Sequence, residues 1–578
     1  MDVRISKNVR VPMRDGVELS ADIYQPADDE PRPVVLLRLP YDKEIAGAPA
    51  DVTKYLAAGY VVVAQDTRGR FQSGGTFNPF LDEQADGEDS LRWLTAQPWC
   101  SGDVAMSGSS YFGATQWLVA AGESPALKAI APNITSSSYY EGWTYQGGAF
   151  ELGFILCWTL GSLALPAAGR AMADASVSPA EFAELVGAVD GIAELYRHTP
   201  LIDLDVLRKL APYYFDWLEH PSEDDFWRAT APRERYEQVS VPSLNIGGWY
   251  DCFLGGTLEN YRGMKERGGS EAARRPRLVI GPWSHGMAWG EFPSESFVLM
   301  ANSMLVDLTG QQIRFFDRHV RGLDNGWDEE APVRIFVMGA NVWRDEQDWP
   351  LPGTRYTPYY LHSGGQANSS AGDGRLSTEA AEGHEPPDNY LFDPRDPVPT
   401  VGGQTFLPGF MIGTNAGPRD RREVEQRPDV LCFSTDPLAD DTEVTGPVSL
   451  VLHVASSAVD TDFTDALVDV HPNGRAAILT EGILRARYRN SLRDPELLEP
   501  GCGYELTLDL WATANVFRAG HRIRLEVSSS NFPRFDRNSN TGATIATERE
   551  EDYVPALNTV FHDADRPSRL ILPVIDQA

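Results

Sequence analysis

The sequence predicts an α/β core, broken by a helical insertion and followed by an all-β domain. Three observations carry this reading. Short β-branched runs that do not alternate, PVVLLRLP and GYVVVAQDTRG, lie among helical stretches, as parallel strands buried on both faces should. Helical spacing dominates residues 144–240. Beyond residue 354, short alternating runs take over, among them VSLVLHVAS, GILRARYR and HRIRLEVSSS, with turn residues between them.

These shifts place the two parts of the core at 1–143 and 241–353. The insertion is 144–240, and a C-terminal sandwich or jelly roll occupies 354–578. In the first part, VRVPM and VELSADIY flank Asp15-Gly16, a two-residue hairpin signal. DEQADGEDSLRWLTAQPW reads as a helix, and DVAMSG as a strand entering a glycine-rich turn. Within the insertion, Ser178 suits an N-cap, Pro179 the first helical position, and Glu181 completes a capping box. No strand is predicted there. VPSLNIGGWYD and PRLVIGPWSH restore the strand pattern, and MLVDLTGQQIRFFDRHVRG is a helix.

Composition narrows the function. The 578 residues carry a net charge of -33 and no Lys/Arg run, so nucleic acid is not expected as a partner, and a cationic substrate is slightly favoured. The charged N-terminus has no apolar core of a secretory leader, which predicts a cytoplasmic protein. The longest apolar run, FELGFILCWTLGSLALPAAG, holds Glu151 and several glycines, so no membrane span is predicted. Five scattered cysteines read as reduced thiols. The acidic stretch DTDFTDALVD (460–469) lacks the mid-loop glycine of an EF-hand and meets His471 where a closing glutamate is required. It reads as a solvated turn and strand face. No metal and no cofactor are expected.

The chemistry is in AMSGSSYFGATQW. A nucleophile on a strand-to-helix turn needs small residues two before it and two or three after it, because backbones crowd there. Ser110 has Gly108 and Gly113 at those places. Ser109 would put Ser107 and the bulky Tyr111 there. Ser110 is therefore the candidate nucleophile. Asp251 follows LNIGGWY and His285 follows LVIGPWS, each just past a strand, in the chain order Ser, Asp, His. His285 would take the serine proton, and Asp251 would fix the imidazole tautomer. His319 lies on an amphipathic helix and reads as a packing or surface residue. His198 and His220 belong to the insertion.

LPYDK, QDTRGR, SGSSYFG, GGWYD, GPWSH, FFDRHVRG, VDTDFT and SSSNFPRFDRNSNTG occur in this order. Together they resemble the signatures of the bacterial cocaine esterase group. This group sits within a larger set of serine hydrolases that includes X-prolyl dipeptidyl peptidases and α-amino-acid ester hydrolases. The resemblance spans the whole chain. It implies an α/β-hydrolase core with an inserted helical cap and a C-terminal jelly roll. It implies a triad of Ser110, Asp251 and His285, with an oxyanion hole made by the Tyr41 hydroxyl and the Tyr111 N–H. In that group, aromatic residues form a slot for a benzoyl-type acyl group. Trp143, Trp158, Phe253, Phe406 and Leu407 match it. The expected partner is a small-molecule ester, with a homodimer possible by analogy. An α-amino-acid ester hydrolase, a β-lactam acylase or an X-Pro dipeptidyl peptidase on the same scaffold, or a non-catalytic carbohydrate-binding jelly roll, are the competing readings. Ser110→Ala should abolish acylation by a fluorophosphonate, whereas Ser109→Ala should leave it intact; intact-mass spectrometry reads both.

Overall fold

The computed structural model describes every residue except 1, 29, 47–48, 123, 287, 408–414 and 577–578, and only the backbone of 46, 49 and 50. The chain opens with an antiparallel hairpin of β1 (Val3–Pro12) and β2 (Glu18–Pro26). Its connection is longer than the sequence suggested. The Met13 N–H donates to the Val17 carbonyl at 2.8 Å, and the Met13 carbonyl accepts from Gly16 at 3.0 Å. Gly16 supplies the left-handed step at φ 86° inside this wider turn.

β3 (Arg32–Leu39), β4 (Val61–Asp66), β5 (Cys100–Ser109) and β6 (Leu127–Asn133) then run parallel. The unalternating apolar runs supply both faces of this sheet. Val34, Leu36, Val63 and Met106 pack on one side, and Val35, Leu37, Val62 and Ala105 on the other. α1 (Pro49–Ala57), α2 (Glu83–Thr95) and α3 (Tyr111–Ala120) connect the strands.

The insertion contains a two-stranded hairpin that sequence reading missed, β7 (Tyr145–Gln146) and β8 (Ala149–Phe150). Gly147 and Gly148 turn it at φ 54° and 82°. Strands this short carry no periodicity. The Gly-Gly pair was the only signal. A continuous helix follows, α4 (Leu152–Ala173), with a π-helical stretch at Trp158–Ala164. The glycines of this run do not break the helix. At 22 residues, with an 18-residue window of mean hydropathy 1.6, α4 is long and apolar enough to cross a membrane by length and composition. In the fold, 61% of that window is buried against the rest of the protein, as in a core helix. Ser178 and Glu181 form the capping box of α5 (Pro179–Asp190), and α6 (Tyr213–Glu219) lies beyond it.

The sheet resumes with β9 (Leu244–Tyr250), α7 (Leu254–Arg267) and β10 (Arg277–Ser284). A small hairpin, β11 (Glu291–Phe292) and β12 (Glu295–Ser296), precedes α8 (Leu308–His319). β13 (Val333–Val337) and β14 (Val342–Glu346) close the sheet. Among the described residues it has ten strands, in the order β1-β2-β4-β3-β5-β6-β9-β10-β13-β14.

The C-terminal domain comprises β15 (Arg355–His362), β16 (Arg375–Ser377), β17 (Asp388–Phe392), β18 (Leu431–Ser434), β19 (Thr442–Ser456) and β20 (Asp462–Val470). It continues with β21 (Ala476–Arg485), β22 (Tyr504–Phe517), β23 (Arg522–Ser528), β24 (Ala556–Phe561) and β25 (Arg569–Ile575). Among the described strands, pairing is antiparallel except between β16 and β18.

Here the acidic stretch departs from its expected solvated face. Asp460, Asp462, Asp465 and Asp469 are all buried, because β20 lies between β21 and β23. Arginines from neighbouring segments meet two of these carboxylates. Arg487 reaches Asp460 at 2.8 Å, and Arg485 bridges Asp462 and Asp536. The SSSNFPRFDRNSNTG segment (528–542) is the strap between domains. Asp536 accepts from the Phe150 N–H at 3.0 Å, and Arg534 donates to Gln146 at 2.9 Å while pairing with Glu481.

His319 ends α8 with its ring edge-on to Phe315 at 4.7 Å. Burial pushes its pKa down to about 4. The unfolded chain binds this proton near pH 6.5 and the folded protein does not, so stability falls as pH drops from about 6.5 to about 4. The linkage amounts to up to about 3 kcal/mol. His319→Gln should therefore lose less thermal stability than the wild type across that window, as read by melting at several pH values.

Candidate active site

Ser110 stands between the end of β5 and the first residue of α3, at φ 60° and ψ −124°. An L-residue adopts this conformation only when its surroundings hold it there. Two glycines let those surroundings close in. A Cβ on Gly108 would lie 2.5 Å from the Phe112 Cβ, and one on Gly113 would lie 2.7 Å from the Thr135 Cβ. The close approach that needs glycine thus falls at 113, and Phe112 is free to turn its ring toward Tyr41, 5.8 Å away.

β9 and β10 deliver the other two groups. His285 Nε2 lies 3.0 Å from Ser110 Oγ, and His285 Nδ1 lies 3.0 Å from Asp251 Oδ2. The Phe253 N–H donates to Asp251 Oδ1 at 2.7 Å and fixes the carboxylate plane. Both side chains are buried. Such a chain can pass a proton from a hydroxyl to an imidazole whose charge is balanced behind it.

Tyr41 faces the serine from the loop after β3. The Trp158 Nε1–H donates to the Tyr41 hydroxyl oxygen at 2.8 Å. That oxygen's own proton is then directed elsewhere. Burial pushes the phenol pKa up further than its neighbours, the Ser110 hydroxyl among them, lower it, so Tyr41 remains a neutral donor. Tyr111 is the first residue of α3, and its N–H precedes the first intrahelical bond, made by later amides to the Ser110 carbonyl.

The two motifs LPYDK and QDTRGR lock this loop. The Lys43 N–H and Nζ both donate to Asp66, at 2.7 and 3.1 Å. Arg70, 3% exposed, donates to the Pro40 carbonyl at 2.8 Å, to Leu163 at 2.9 Å and to Ser162 at 3.1 Å. One guanidinium thus ties the residue before Tyr41 to the helix that carries Trp158. Sequence reading gave Arg70 no role, although the arginine-rich motif marked the place.

Aromatic rings surround the triad. Trp143 stacks on Phe253 at 4.3 Å, and Trp158 meets Trp143 edge-on at 5.6 Å. Phe253 and Phe406 each approach the His285 ring edge-on, at 4.9 and 5.0 Å. Leu407 packs on Gly153, where a Cβ would be 2.1 Å from its methyl. The structure therefore brings Trp143, Trp158, Phe253, Phe406 and Leu407 to one place. Sequence reading missed Phe154, which stacks on Trp158 at 5.6 Å and meets Phe406 edge-on at 5.4 Å. It also missed Trp217, parallel to Trp158 at 5.8 Å. Neither lies in a motif. A separate cavity of about 390 Å³ borders the elbow, between Ser109 and Asn133 on one side and Val52 of α1 and Met304 on the other.

Residues 15–287 match the X-Pro dipeptidyl-peptidase (S15 family) model, and residues 325–571 match the X-Pro dipeptidyl-peptidase C-terminal non-catalytic domain. The cocaine esterase of Rhodococcus sp. (strain MB1 Bresler) is 45% identical, over 99% of this chain and 98% of that one. The chain belongs to the cocaine esterase group of serine hydrolases. This serine esterase also superposes on an α-amino acid ester hydrolase structure, with TM-score 0.79 and 25% identity over 99% of this chain and 97% of the other. An aminopeptidase from a marine sediment archaeon, Thaumarchaeota archaeon, gives TM-score 0.82 and 25% identity over 100% and 97%.

Arg70→Met would leave two buried carbonyls and one partly buried carbonyl without their donor and should cost about 3 kcal/mol of stability. Denaturant unfolding measures that loss. Turnover should fall with it, because the Tyr41 loop is no longer tied to the cap.

Proposed function

We propose that this esterase cleaves aryl esters, benzoyl-type esters such as cocaine among them, through an acyl-enzyme on Ser110. The observation that carries the reading is the apolar aromatic ring set closed around an aligned Ser110–His285–Asp251 chain. A flat aryl acyl group fits between such faces, with ring pairs contributing about 0.5–1.5 kcal/mol each. The buried carboxylates beside the rings are already engaged. Glu83 accepts from the Tyr111 hydroxyl at 3.0 Å and pairs with Arg38, and Glu151 pairs with Arg534. An aminopeptidase-like mode would need a free carboxylate for the substrate ammonium, which favours the ester reading.

In the proposed cycle, Ser110 Oγ attacks the ester carbonyl carbon while His285 Nε2 accepts the serine proton. Asp251 balances the imidazolium. The carbonyl oxygen becomes anionic between the Tyr41 O–H and the Tyr111 N–H. The intermediate collapses, His285 protonates the departing alcohol, and the acyl group stays on Ser110. Water, deprotonated by His285, then attacks the acyl carbon and releases the acid. Trp158 has two parts in this scheme. Its face lines the acyl slot, and its indole N–H occupies the Tyr41 lone pair so that the phenol proton points at the oxyanion.

We extend the proposal to a homodimer. Leu391 on the edge strand β17 and its partner Leu557 on β24 are both exposed, which suits pairing with a second copy. We also propose a cytoplasmic setting, consistent with five unpaired cysteines.

Tyr41→Phe should lower kcat by about 10²- to 10³-fold on a p-nitrophenyl benzoate with KM little changed. A panel of aryl esters, β-lactam amides and X-Pro-p-nitroanilides tests the substrate class. Faster cleavage of either amide set than of the esters would overturn the proposal.

A further inference from the structure

The acidic stretch of β20 ends in Asp469, two residues before His471. Residues two apart on a strand point to the same face. β20 pairs antiparallel with β23, with Asp469 opposite Ile523 and Val470 opposite Arg522. Carried one step further, this register sets His471 opposite His521. Asp469 is then the diagonal neighbour of His521, within reach of a long side chain. The side chains make these contacts. His521 Nδ1 lies 2.8 Å from Asp469 Oδ1, and the two imidazole rings are 4.4 Å apart. One ligand atom from each of Asp469, His471 and His521 lies within 4.8 Å of the other two.

We propose that Asp469, His471 and His521 form a site for a divalent transition-metal ion of the Zn²⁺ type, clamping the ends of β20 and β23. Two imidazole nitrogens and one carboxylate oxygen are the donor set such ions take, with bonds of about 2.0–2.2 Å and water in the open position. The three donors stand on two paired strands and on tight turns. The His471 N–H donates to the Arg475 carbonyl at 2.8 Å, and the His521 N–H donates to the Arg518 carbonyl at 2.9 Å. Closing the donors onto an ion therefore takes side-chain rotation only. Asp469 is buried and the two histidines are partly exposed, which gives an anchored base and an open approach. The neighbouring cation, Arg475, is held away by Glu295 and by the Pro418 carbonyl. A simple His521–Asp469 ion pair would leave His471 without a reason to face His521.

Neither histidine belongs to the ester-cleaving machinery, so the site can be tested with hydrolysis intact. Metal-stripped enzyme titrated with ZnCl₂ by calorimetry should bind one ion per chain with micromolar affinity. His471→Ala and His521→Ala should each weaken that binding at least tenfold while p-nitrophenyl ester turnover is retained. Wild-type melting temperature should rise by several degrees with zinc, and the rise should vanish in both variants. The active site also gathers Asp251, Cys252 and His285, so the titration is repeated on Cys252→Ser. Binding lost in Cys252→Ser but kept in the histidine variants would overturn the proposal, as would no stoichiometric binding to the wild type. Should a variant misfold, the visible spectrum of Co²⁺ added to Cys252→Ser decides. A tetrahedral band supports the site, and its absence overturns it.

Discussion

A serine at φ 60° is the constraint around which this molecule is arranged. The elbow places Ser110 Oγ at the carboxyl edge of a parallel sheet, above the strands that deliver Asp251 and His285. Strain of that kind persists only where packing over-determines it. Gly108 and Gly113 admit the packing, and Phe112 and Thr135 supply it. The sheet is in turn held by apolar runs that feed both faces, so the edge that bears the site is rigid.

The second requirement is a place for negative charge. A backbone amide at a helix start is inexpensive to provide, since the fold leaves it unpaired anyway. A phenol is not, because a tyrosine hydroxyl rotates and its loop must be fixed. The chain fixes it from two sides. Lys43 and Asp66 hold the loop to β4, and Arg70 holds it to α4, whose Trp158 orients the hydroxyl. The cap therefore takes part in fixing the proposed oxyanion donor Tyr41. The C-terminal domain completes the enclosure by sending Phe406 against the His285 ring and Leu407 against Gly153. Arg534 and Asp536 strap that domain to the cap through buried charges that each meet a partner. Truncating one member of such a network would leave its partner charged and buried, a cost that explains why so much of this interface is ionic.

Much of this was legible in the residues. Unalternating apolar runs marked the parallel strands, and the glycines around Ser110 chose between two adjacent serines by size alone. Asp251 and His285 were found because strand ends are where such a sheet presents groups. What escaped had a physical reason. The β7–β8 hairpin is too short to show a period. The length of α4 was hidden by glycines that interrupt the composition but not the helix. Asp460 and Asp462 looked solvated because the arginines that meet them lie more than 15 residues away in sequence. Arg70 was invisible because its partners are carbonyls, which every residue has.

The sequence by itself determined the order of the main elements and singled out Ser110, Asp251 and His285 as candidates, since each follows from local size, periodicity and position along the chain. Only the tertiary structure decided which aromatic rings form one slot, which arginine fixes the tyrosine, and that Asp469, His471 and His521 meet at the end of one ladder. Those relations depend on strand register and domain packing. Both are set by long-range pairing energies that no short window of sequence contains.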